Sequence, residues 1–67
     1  MHATSPTDAT TRALQIVTEH LRHAQRSHEL AQHMHAQGQI QAARQQSRMT
    51  RIYLHNALHR IDLHSQI

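Results

Sequence analysis

The chain has no cysteine, no lysine, no tryptophan and no phenylalanine, and only one glycine, one proline and one tyrosine. Without cysteine there are no disulfides, no thiolate metal sites and no cysteine nucleophile. Without interleaved aromatic residues there is no platform for stacking nucleic-acid bases. With so little proline and glycine, long stretches run without a helix breaker. No run of 18 apolar residues occurs, so no membrane-spanning helix is expected. The opening MHATSPTDATTR lacks a charged start followed by an apolar stretch, so no secretion signal is expected and cytoplasmic residence is the expectation. Four acidic residues leave little material for acid–base catalysis.

What is present is small, helical and basic. Sixty-seven residues make a single domain at most, and a core of that size is marginal unless metal or self-association supports it. Leu, Ile, Val and Phe together number 12, below the usual range for a globular core, and nine alanines favour helix and allow close approach. Such a composition leaves disorder open, but the low net charge and regular apolar spacing oppose it. The net charge of +3 sits wholly in residues 39–67, where Arg44, Arg48, Arg51 and Arg60 face Asp62 alone.

Ser5-Pro6-Thr7-Asp8 reads as a helix start: a serine cap, proline at the first helical position, and a carboxylate able to reach back in a capping box. Leu14, Val17, Leu21, Ala24, His28, Ala31 and His35 then recur at spacings of three and four, with Ala13, His20, Ser27 and Met34 widening the stripe. Gly38 can end this helix in a left-handed cap, or sit inside one continuous helix at a cost of about 1 kcal/mol. Leu30, Ala31, Met34, Gly38, Ile40 and Ala43 resemble the turn of a tetratricopeptide-type helical hairpin. The likeness spans residues 30–43, has Ser27 and Ser47 where that pattern carries large aromatics, and implies only that the chain folds back at Gly38.

The expectation is therefore all-α: one domain over residues 1–67, with a tail and cap over 1–5, helix over 6–37, a turn at 38 and helix over 39–64. The second segment offers the stripe Ile40, Ala43, Ser47, Thr50, Leu54, Ala57 and Ile61 to the first, with Leu58 beside it. Met49, Ile52 and Leu63 point nearly the opposite way, with Tyr53 between. One partner helix cannot cover both groups, so a second copy is expected, giving a homodimeric four-helix bundle with small core residues at Ala24, Ala31, Ala43 and Ala57. Met49, Ile52, Tyr53 and Leu63 are the candidate face for a dimer or a partner.

Nine histidines invite three readings. As metal ligands, His20/His23 and His55/His59 have one-turn spacing and fall at similar heights in a hairpin. However, His55 and His59 turn away from the stripe expected to meet the first helix, so they are weak candidates and no metal is favoured. As a pH sensor, His28 and His35 occupy stripe positions. If half-buried, they would resist charging and the assembly would loosen as pH falls. Otherwise the histidines are solvated polar residues, which suits His23, His33, His55, His59 and His64.

Arg44, Arg48, Arg51 and His55 advance by four, three and four along one edge, a candidate ridge for a partner's carboxylates or phosphates. An acidic protein surface is the expected partner, and nucleic acid is the alternative, since no base-reading module is present. Pairs such as Glu19 with His20 or His59 with Asp62 lack a nucleophile and a pocket, so no enzyme activity and no cofactor are expected. The reading is a small binding protein: an adaptor, inhibitor or regulator acting by protein contact, with an RNA- or DNA-binding hairpin second and a metal- or pH-responsive bundle third.

Overall fold

In the computed structural model, residues 6–65 are described, and they form two helices, α1 (Pro6–Ala36) and α2 (Ile40–Ser65), packed as an antiparallel hairpin. The capping expected at Ser5 lies outside the described residues. Among the described residues no helix is long and apolar enough to cross a membrane. The hairpin is a single layer, with Cα extents of 56 × 22 × 11 Å.

The chain reverses over Gln37–Gln39. The Gly38 N–H donates to the His35 carbonyl at 3.0 Å and the Gln39 N–H to the Met34 carbonyl at 2.8 Å, a five-to-two and six-to-one pair that satisfies two of the carbonyls in the last turn of α1. Gly38 adopts φ of +81°, the left-handed conformation this pattern requires. A Cβ there would meet no atom within 4 Å, so glycine is used for its backbone freedom and not for space.

The seam between the helices is made of small side chains. Ala24, Ser27 and Ala31 of α1 and Ala43 and Ala57 of α2 are buried, and Val17 is the one larger side chain among the buried residues described. Half-buried Ala13, Ile16, His20 and Met34 continue the seam along α1, and Gln46, Thr50, Tyr53 and His64 along α2. The alanines expected in the core are all there. The α2 stripe expected to face α1 is not the seam: Ser47 is exposed, and so are Ile40, Leu54 and Ile61. The seam row 43, 46, 50, 53, 57 and 64 is rotated about the helix axis from the expected one, although it shares Ala43, Thr50 and Ala57 with it. Small residues let the backbones approach closely, so dispersion contacts accrue along the whole length, whereas a row of leucines would hold the helices apart.

Close approach buries only a narrow stripe of each helix. Leu14, Leu21, Leu30, Ile40, Met49, Ile52, Leu54, Leu58, Ile61 and Leu63 consequently stay on the surface, with Leu58 reaching 60 % exposure. The helices are knit to themselves by Thr18, Thr50 and Ser65, whose hydroxyls donate to the carbonyls of Leu14, Gln46 and Ile61 one turn back.

Candidate functional site

The seven-residue repeat sorts the exposed side chains onto two flanks of the seam. Positions 14, 21, 28 and 35 of α1 form one row, and 40, 47, 54 and 61 form the matching row of α2. His28 and His35 share a groove with Ile40 and Ser47, which places both rows on the same side of the hairpin. This first flank changes character along its length. Toward the open end it presents Leu14, Leu21, Leu54 and Ile61, with Leu58 just outside. Toward the turn it becomes polar and basic.

That basic half is an open groove of about 820 Å3, bridged by both helices. His28, Gln32 and His35 line it from α1, and Arg44, Ser47, Arg48 and Arg51 from α2, over a floor of Ala31, Ala43 and Ile40. No aspartate or glutamate is among the lining residues. The ridge expected along one helix is therefore one wall of a two-helix groove. Its fourth member, His55, lines the adjoining shallower groove with Leu54 and Leu58.

His28 and His35 are exposed, not half-buried. The expectation that their burial makes the fold acid-sensitive loses its premise. Their stripe position holds, but with a seam of alanines that row lies beside the contact and not within it. No spacing argument in α1 alone could have joined them to the arginines, because the join depends on the rotation of α2.

The second flank carries Ile16, His23 and Leu30 of α1, and Met49 and Leu63 of α2 with Ile52 outside them. Met49, Ile52 and Leu63 are exposed, while Tyr53 is half-buried at the seam. The Tyr53 ring stacks on His23 with centroids 5.1 Å apart and planes 26° from parallel. His20, one turn before Ala24, points into the seam, where its Nδ1 is buried without a hydrogen-bond partner.

Of the four histidines considered as ligands, His20 lies at the seam, His23 packs on Tyr53, His55 lines the shallow groove of the first flank and His59 is exposed on α2. Among the described residues no three or more His, Asp or Glu side chains are grouped so as to hold a metal ion. Comparison with protein-family models, with curated proteins and with solved structures yields no match.

Proposed function

We propose that the protein is a non-enzymatic helical-hairpin binding module that pairs with a second copy through one flank and engages a partner protein through the other, as an adaptor, inhibitor or regulator. The observation that carries this reading is the alanine seam, which leaves ten large aliphatic side chains outside. The 7.8 kDa chain exposes 5688 Å2, against about 4,400 Å2 for a compact monomer of its mass. Surface of that kind marks interaction sites.

The two flanks suit different roles. The open half of the first flank is mostly apolar: Leu14, Leu21, Leu54, Leu58 and Ile61 are bordered on α1 by Thr11, Thr18 and Gln25, and on α2 Arg51 and His55 share a groove with Leu54 and Leu58. Such a self-complementary apolar face fits a two-fold homodimer, in which two hairpins make a four-helix bundle. The second flank is rimmed by charge, with Glu19, Arg26 and His59 around Leu30, Met49, Ile52 and Leu63. An apolar centre with a charged rim fits a partner that must also leave.

Sedimentation equilibrium tests the division. The natural chain is expected to be a dimer at micromolar concentration. Leu21→Glu with Leu54→Glu yields a helical monomer, whereas Met49→Glu with Ile52→Glu leaves the dimer intact. A natural chain that stays monomeric at 100 μM, or a dimer broken only by the second pair, overturns it.

A further inference from the structure

The groove at the turn end has a composition that self-association does not explain. Three guanidiniums, two imidazoles, one amide and one hydroxyl converge on it from two helices, with no carboxylate lining it. Each guanidinium offers five N–H donors in a fixed fork, so this wall alone can satisfy far more oxygens than a single carboxylate supplies. The space, about 820 Å3, falls in the range of small-molecule sites. Both helices contribute donors to it, so a compact anion seated between them meets both walls at once. No Tyr lines it and the chain has no Trp or Phe, so it offers charge and hydrogen bonds and no base-stacking platform.

We propose that this groove binds a compact, multiply charged phosphate ligand of di- or triphosphate size. Arg44, Arg48 and Arg51 grip the oxygens, while His28 and His35 close the far side from α1. Arg44, Arg48 and Arg51 are four and three residues apart, rises of about 6 and 4.5 Å, so their long side chains can converge on one compact anion. The ionisable groups lining the groove are these two imidazoles of α1 and the three guanidiniums of α2. The groove is the turn-end half of the flank proposed for pairing, so this inference rests on the pairing being confined to the leucine-bearing open half.

Calorimetric titration with inorganic tripolyphosphate tests it directly. At 50 mM salt one ligand per chain is expected, weakening steeply by 200 mM salt as screening grows. Arg44→Ala with Arg48→Ala loses affinity by about tenfold or more. Arg12→Ala with Arg22→Ala, an equal loss of charge toward the open end of α1, changes it less than twofold. His28→Ala with His35→Ala, which removes the imidazole donors of α1, also weakens binding. Far-UV circular dichroism checks that each variant remains helical. No binding at 50 mM salt, or an equal loss in the Arg12/Arg22 variant, overturns the proposal. Citrate binding as tightly as tripolyphosphate overturns the phosphate class. A short single-stranded RNA or a polyglutamate peptide that tripolyphosphate cannot displace shows that the groove serves a macromolecule and also overturns it.

Discussion

Single residues in the seam hold more strain and more stability than their polarity suggests. His20 is half-buried with a ring nitrogen that finds no partner, in a seam whose fully buried members are alanine, valine and serine. An unsatisfied buried polar atom costs about 1–3 kcal/mol. His20→Leu is therefore expected to stabilise the hairpin, raising the melting temperature by roughly 4–8 °C per kcal/mol for a chain of this size. Thermal denaturation followed at 222 nm reads it, and a lower melting temperature would show that His20 is satisfied by solvent. Ala57 is the opposite case. At 1 % exposure it has no room for three more carbons, so Ala57→Leu is expected to cost about 2–3 kcal/mol by forcing the helices apart. If urea midpoints show no loss, the seam is looser than its burial implies.

At the level of elements, the turn depends on one backbone conformation. Because Gly38 has positive φ and open space around its Cα, Gly38→Ala introduces conformational strain without a clash, costing about 1 kcal/mol. Gly38→Asn should cost less, since asparagine tolerates the left-handed region. Equal stability of all three in chemical denaturation would mean the turn can re-form otherwise. This turn was legible in the sequence: a lone glycine between two amphipathic runs has few other uses, and Val17, Ala24 and Ala31 of the expected α1 stripe are buried, although Leu14, Leu21, His28 and His35 are exposed. The rotation of α2 was not legible. Its aliphatic residues form two rows on either side of Gln46, Thr50 and Tyr53, and hydrophobicity alone selects a leucine-rich row for the seam. Packing selects the small residues instead, because a pair of helices in close contact can hide only a narrow stripe. The inner face of α1 is turned as well, with 13, 20, 27 and 34 in the seam and 14, 21, 28 and 35 outside it, which leaves His28 and His35 exposed and opposite the arginines. The ridge was visible in α2 by itself. The groove was not, because it exists only once two segments are placed side by side.

For the molecule as a whole, apolar surface left outside couples folding to concentration. If the native state is a dimer and the unfolded chain is not, the melting temperature rises with protein concentration. A hundredfold increase is expected to shift it upward measurably in the natural chain and not in the Leu21→Glu/Leu54→Glu variant; equal behaviour would place the exposed leucines outside any pairing surface. The phosphate groove adds a second linkage, since a ligand that binds only the folded hairpin stabilises it by RT ln(1 + [L]/Kd).

The slab has a further consequence that follows from its 11 Å depth. Two helices side by side have a front and a back but no middle, so no peptide group is covered by a second tier of structure. Amide hydrogens in such a body are guarded by their own helical bonds and little else, and exchange with deuterium in the lone hairpin should vary smoothly from frayed ends to centre. A sharp step in protection confined to the leucine-bearing half would therefore reveal the footprint of whatever lies against it.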